Sequence, residues 1–243
     1  MLLKENLGQV VDEVIEWVKE YVRNSGAKGV VVGNSGGKDS ATVIAIAVKA
    51  VGEQNVITVG MPCNSNPSDL DDAKLVANTF NVPLLEVDLS DTYYNLESKI
   101  NDAKGISKEA GINIKPRLRM TTLYAIAQTM GYLVIGTGNL SEITVGYTTK
   151  WGDSSSDFNP IANFTVEEVK MIGAYLGVPQ NIVNRPPDDG LCMGTDEEKM
   201  GVTYAQISEY INTGKTDIAA MKIIERMNKA SQHKREPIPN FKK

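Results

Sequence analysis

The chain has 243 residues, 42% hydrophobic and 23% charged, with a formal net charge of −5. That length can bury a full core in one large domain or two small ones, and the composition is ordinary for a globular protein. The acidic balance argues against general nucleic-acid binding. No apolar run approaches the ~20 residues that span a bilayer, and the N-terminus has no signal-peptide core, so a cytoplasmic protein without a membrane partner is expected.

Val11, Val14, Ile15, Val18, Tyr21 and Val22 recur at helical spacing and predict an amphipathic first helix ending near 24–26. Lys28 to Val32 reads as a buried strand, 40–50 as a helix, and Val56 to Met61 as a second strand closed by Pro62. Pro67, Ser68 and Asp69 open the next helix, with Ser68 as the expected N-cap and Ala73, Val76, Ala77 and Phe80 as its buried face. Leu84 to Val87 is a third strand, and Ser90 is expected to cap a helix running to about 101. Residues 116–129 form a long helix that places Arg117 and Arg119 near its start, and Tyr132 to Ile135 form a fourth apolar strand. Beyond Pro160 come a helix near 165–175, a mobile loop over 184–201, helices near 203–212 and 217–231, and a basic tail. No repeat or linker is visible, so one domain over 1–243 is expected. The order β-α-β-α-β-α-α-β, with continuously apolar strands, predicts an α/β fold with a parallel sheet between two helical layers.

In such sheets ligands bind beyond the carboxyl ends of the strands. Asn34–Asp39, Met61–Ser65 and Gly136–Glu142 all fall there. The most informative segment is Ser35-Gly36-Gly37-Lys38-Asp39-Ser40, between the apolar run ending at Val32 and the helical pattern from Ala41. Adjacent glycines let the backbone approach a ligand, the following helix offers free N–H groups and a positive dipole end, and the serines add hydroxyl donors. It is not a Walker A loop: Gly33 to Gly37 is one residue too short, and Asp39 stands where the hydroxyl belongs. Nor does Gly33 with Gly36 fit the dinucleotide pattern G-x-G-x-x-G. An aspartate in a phosphate turn repels its ligand unless a cation intervenes, so Asp39 implies Mg²⁺. The plainer alternative is a Gly-rich β–α turn with no ligand.

This turn resembles the SGGxDS loop of the ATP pyrophosphatases, ligases that split ATP into AMP and pyrophosphate. From about residue 5 to 240 the chain resembles the ammonia-dependent NAD synthetases within that group. The matching stretches are Lys115 to Met120, Gly136-Thr137-Gly138-Asn139 with Glu142, Gly146 to Asp153, Asp157-Phe158-Asn159-Pro160 and His233-Lys234-Arg235. The resemblance implies a Rossmann-like three-layer sandwich of the adenine nucleotide α-hydrolase type. It also implies amidation of deamido-NAD by ammonia through an acyl adenylate, without a protein nucleophile, in a homodimer lacking a glutaminase segment.

The resemblance further assigns roles. Gly33, Ser35, Gly36, Gly37, Lys38, Asp39, Ser40 and Thr137 are the implied ATP contacts, Lys38 at a variable position of the motif. Asp39 and Glu142 are the implied Mg²⁺ ligands, and Arg117 or Arg119, Lys150, Asp157, His233 and Lys234 the implied deamido-NAD contacts. Plainer readings stand beside these: Glu142 as a first-turn acid complementing a helix dipole, Lys150 as a solvated lysine, His233 as part of a fraying helix end. The chain departs from the family pattern at Asn34, usually apolar, at Val166, often an ATP-contacting lysine, and at Asp188, often a hydroxyl residue. Lys170 is the nearest compensating cation. Another ATP-pyrophosphatase ligase and a catalytically silent nucleotide-binding protein are the competing expectations.

Cys63 and Cys192 lie far apart without metal-type spacing, and His233 is the lone histidine. Two free thiols are expected, and Cys–His nucleophilic catalysis is disfavoured.

Overall fold

The computed structural model describes residues 2–185 and 195–241. Chain order runs α1 (Leu2–Ser25), β1 (Val30–Gly33), α2 (Lys38–Val51), β2 (Val56–Gly60), α3 (Pro67–Thr79), β3 (Leu84–Glu86), α4 (Ser90–Lys104), α5 (Lys108–Met130) and β4 (Leu133–Val134). It continues with α6 (Leu140–Val145), α7 (Val166–Tyr175), α8 (Gln180–Val183), α9 (Asp196–Met200), α10 (Tyr204–Thr213) and α11 (Ile218–Ala230), then a 3₁₀ turn at Gln232–Lys234. The strands form one parallel sheet in the order β3-β2-β1-β4, with Val30 in register with both Val56 and Leu133.

Side chains alternate across a strand, so a Val-Val-Val strand needs a core on each side. Val30 and Val32 pack with Val11 and Val18 of α1, Ile44 and Ile46 of α2, and Val169 and Ile172 of α7. Val31 packs on the opposite face with Val59, Val134, Tyr93 of α4 and Ala127 of α5. The expected three-layer arrangement is present. A third cluster of Val145, Val166, Tyr204, Ile207 and Ile224 joins α6, α7, α10 and α11.

Local details differ from the sequence reading. Asn66, not Ser68, caps α3: its side chain accepts from the Ser68 backbone N–H at 3.2 Å, with Pro67 as the first helical residue. Ser90 is already inside α4; its N–H donates to Asp88 Oδ1 at 2.8 Å, and Leu89 holds the cap position without a side-chain bond. Helix α5 starts at Lys108 rather than 116, capped by Ser107 Oγ at 3.2 Å from the Ala110 N–H, and runs on through Pro116. Pro116 forfeits one helical hydrogen bond, and Arg117 and Arg119 lie in the helix interior. The region read as a loop over 184–201 contains α9, while 186–194 lie outside the described residues.

Strand β4 is short but does not end the sheet edge. A bridge pairs Ile135 with Phe158, and the Asp157 carboxylate accepts from the Val134 N–H at 2.7 Å. Cys63 is a buried thiol bonded to the Leu89 carbonyl at 3.8 Å; Cys192 lies outside the described residues. Among the described residues no helix is long and apolar enough to cross a membrane.

Candidate active site

The chain leaves β1 at Gly33 and turns through Asn34, which is buried although polar. Its amide donates to the Ala73 carbonyl of α3 at 2.9 Å, and its Oδ1 accepts from the Gly36 N–H at 3.1 Å. Gly36 has φ +73°, and a Cβ there would lie 2.6 Å from Asp72 Cβ and 2.7 Å from the Asp69 carbonyl oxygen, so only glycine fits. Ser35 Oγ accepts from the Gly37 N–H at 3.2 Å and lies 3.1 Å from Ser40 Oγ. The turn thus gathers two hydroxyls at the N-terminus of the 14-residue α2, where an anion is favoured.

Asp39, in the first turn of α2, meets the loop after β4. Its Oδ1 accepts from Asn139 Nδ2 at 3.2 Å, and its Oδ2 lies 3.0 Å from Lys38 Nζ. Asn139 also caps α6 in a reciprocal box: Oδ1 accepts from the Glu142 N–H at 3.1 Å, and Glu142 Oε2 accepts from the Asn139 N–H at 3.0 Å. One buried asparagine therefore sets the spacing of two acids that lie about a hundred residues apart in sequence.

Burial, then the negative charge of Asp39, push the Glu142 carboxyl up to about 8. Burial alone would lower the Lys38 ammonium, but Asp39, Glu142 and Asp196 outweigh it and hold it above its ordinary value. Among the described residues no group of three or more His, Cys, Asp or Glu could hold a metal. Two carboxylates leave most coordination positions to phosphate oxygens and water, which is how Mg²⁺ is commonly bound. The donor set therefore fits this ion.

Beyond the acids opens a cleft of about 520 Å³ at the carboxyl edge of the sheet, lined from the ends of β1, β2 and β4 by residues including Ser35, Met61 and Thr137. Helix α5 contributes Arg119, whose Nε donates to the Met61 carbonyl at 3.1 Å and whose Nη2 donates to Ser65 Oγ at 3.0 Å. The C-terminal segment returns to place Lys234 in the wall, its ammonium donating to the Gly146 and Thr148 carbonyls at 2.7 and 2.6 Å. Burial draws the pKa of Lys234 down.

A family model described as NAD synthase matches residues 10–238. The chain belongs to the NAD synthase family. It is 42% identical to the NH(3)-dependent NAD(+) synthetase of Carboxydothermus hydrogenoformans over 96% of this chain and 97% of that protein. Among solved structures it is similar to NMN synthetase from Francisella tularensis, with a TM-score of 0.90, 32% identity and coverage of 96% and 98%. It is also similar to the NH3-dependent NAD synthetase of Campylobacter jejuni, with a TM-score of 0.79, 25% identity and coverage of 97% and 99%.

Within this NAD synthase fold the expected residues divide. Gly33, Ser35, Gly37, Lys38, Asp39, Ser40, Thr137, Glu142, Arg119 and Lys234 all line the cleft. Lys150 lines an adjoining hollow of about 370 Å³ that shares Met120, Ser155 and Lys234 with it. The Lys150 ammonium donates to the His233 carbonyl at 2.6 Å and sits 5.5 Å from the Trp151 ring centroid. Arg117 lines neither space; it reaches the Lys150 carbonyl at 3.3 Å. Asp157 lines neither as well, its carboxylate being engaged by the Val134 N–H and, at 3.4 Å, by the Tyr124 hydroxyl.

The departure at Val166 and its expected compensation by Lys170 both fall away from the cleft. Val166 is packed in the α6–α11 core, its N–H donating to Ser141 Oγ, so that position does not face the cleft. Lys170 pairs with Glu167 at 2.8 Å on α7, also away from it. Asp188 lies outside the described residues. Asn139, Arg185 and Asp196 were not foreseen. Arg185 forks onto Asp69 and Asp72, and Asp196 accepts from the Tyr204 hydroxyl at 3.3 Å. The spacing Asn139-x-x-Glu142 is a readable capping signal; Arg185 and Asp196 arrive from distant segments with no local signature.

Proposed function

We propose that this NAD synthase joins ammonia to the nicotinate carboxylate of deamido-NAD, driven by cleavage of ATP to AMP and pyrophosphate. The observation that carries this reading is the meeting of the Ser35–Ser40 turn with the Asp39 and Glu142 carboxylates at one end of a cleft walled further along by Arg119 and Lys234.

A carboxylate is a poor electrophile, so activation comes first. A nicotinate oxygen attacks the α-phosphorus of ATP, forming a P–O bond as the α–β bridge breaks, and pyrophosphate leaves with the electron pair. Ammonia then attacks the carbonyl carbon; the C–N bond forms, the acyl–oxygen bond breaks, AMP departs and a proton passes to solvent. The protein's share is positioning and charge stabilisation. The backbone N–H groups and hydroxyls of the Gly36–Ser40 turn hold the β- and γ-phosphates, with Gly33 leaving room for them and Thr137 on the opposite rim. Arg119 and Lys234 hold the acid nucleotide, and Lys150 with the nearby His233 extends that grip outward. Asp39 and Glu142 would hold Mg²⁺, and the ion, when bound, would supply positive charge to the phosphates. Free ammonia is the amine donor in this reading. A homodimer belongs to it as well: Trp17 and Tyr21 of α1 are 45% and 38% exposed, their rings 5.7 Å apart, an aromatic face suited to a second copy.

The test is isotopic. Deamido-NAD labelled with ¹⁸O in the nicotinate carboxylate, incubated with ATP, Mg²⁺ and ammonium, is expected to leave one ¹⁸O in the phosphate of AMP. Unlabelled AMP formed alongside NAD contradicts the acyl adenylate. A second reading is favoured by a specific observation: the NMN synthetase fold is matched more closely than the Campylobacter jejuni NAD synthetase. Nicotinate mononucleotide would then be the amidated acid, by the same chemistry.

A further inference from the structure

A lysine in a phosphate turn is expected to reach toward phosphate, yet Lys38 points elsewhere. Its side chain is buried, and its ammonium lies 3.0 Å from Asp39 Oδ2. It also feels the charges of Glu142 and Asp196 and sits 6.0 Å from the Tyr204 ring centroid. Asp196 is held in turn by the Tyr204 hydroxyl, and the other Asp39 oxygen by Asn139. One carboxylate, Asp39, thus contacts the ammonium directly, and those of Glu142 and Asp196, from separate segments, act on it through their charge. A buried carboxylate pair without a cation would be costly, and Lys38 removes much of that cost.

We propose that Lys38 is a built-in countercation: it supplies the positive charge that Asp39 and Glu142 require, so the protein resists free Mg²⁺ and takes the ion up together with ATP, whose phosphates offer the ammonium a new anionic partner. This rests on the reading of Asp39 and Glu142 as metal ligands. A lysine suits the exchange because its compact charge sits on a flexible stem with rotatable donors. The consequence is ordered assembly. Lys38 offsets carboxylate charge, chiefly that of Asp39, before the nucleotide arrives, and free divalent cation does not lock the site.

The experiment measures binding of Mn²⁺ alone to the full chain by electron paramagnetic resonance, without nucleotide, Mn²⁺ being an oxygen-seeking stand-in for Mg²⁺. Wild type and Lys38→Arg are expected to bind weakly. Lys38→Gln is expected to bind about tenfold tighter or more, a change of about 1.4 kcal/mol. Equal or weaker binding by Lys38→Gln overturns the proposal. If that variant is unfolded without metal, recovery of the fold on adding Mn²⁺ supports the proposal and failure to recover overturns it. In Lys38→Gln/Asp39→Asn the gained affinity is expected to vanish; its persistence would place the ion elsewhere and overturn the proposal. Failure of the underlying metal reading shows itself separately, as wild-type turnover with ATP that is indifferent to chelation of divalent cations.

Discussion

Asn34 anchors the phosphate turn by tying the Gly36 N–H to the Ala73 carbonyl through its own amide. Replacing it with leucine leaves the buried Gly36 N–H without its acceptor and takes one donor from the Ala73 carbonyl, which keeps its place in α3. A loss of about 1–3 kcal/mol is expected in urea denaturation, together with a raised KM for ATP; a loss below about 0.5 kcal/mol would show that the turn holds without it. Asp39→Asn keeps the shape and the Asn139 contact but removes the charge. Pyrophosphate release is expected to fall roughly 10²–10³-fold with an unchanged circular dichroism spectrum, and unchanged turnover would dismiss the metal role. The glycines, serines and aspartate of this turn were legible because their chemistry is local. The work of Asn34 was not, since its partner lies on another helix, and Glu142 proves to be both a capping acid and the neighbour of Asp39, so the two readings of it were never exclusive.

At the scale of elements, the strands were readable because valine runs buried on both faces leave few alternatives. Helix α5 was misread at its start because Pro116 is a strong local stop signal; the structure carries the helix through it, with Ser107 as the true cap. That shift moves Arg119 from a helix end to a helix face turned toward the cleft, and Arg117 away from it. The C-terminal segment depends on Gly146, whose φ is +67° and where a Cβ would fall 2.0 Å from Ser231 Cβ. Gly146→Ala is therefore expected to cost at least about 2 kcal/mol in thermal or chemical denaturation. A near-neutral effect would mean that α6 and the end of α11 are not packed this closely. Lys234→Ala, downstream of the same contact, is expected to raise KM for the acid nucleotide several-fold while KM for ATP stays put. A matching rise in both would assign Lys234 to the ATP end instead.

For the whole molecule, a parallel sheet between two helical layers puts three strand ends, the middle of α5 and the returning C-terminal segment around one cleft. Sequence patterns forecast the strand ends, and the family resemblance forecast Lys234; the convergence of Arg185 and Asp196 on them needed the fold, since nothing in their own neighbourhoods signals it. The central claim is that this convergence amidates a nicotinate acid using ATP. The most direct measurement incubates the purified full chain with ATP, Mg²⁺ and ammonium, supplying deamido-NAD in one series and nicotinate mononucleotide in the other, and quantifies AMP and amide product together. The account predicts AMP and NAD in equal amounts, with kcat/KM higher for deamido-NAD than for the mononucleotide. A preference for the mononucleotide would move the protein to the second reading, and AMP without amide from either acid would contradict the account.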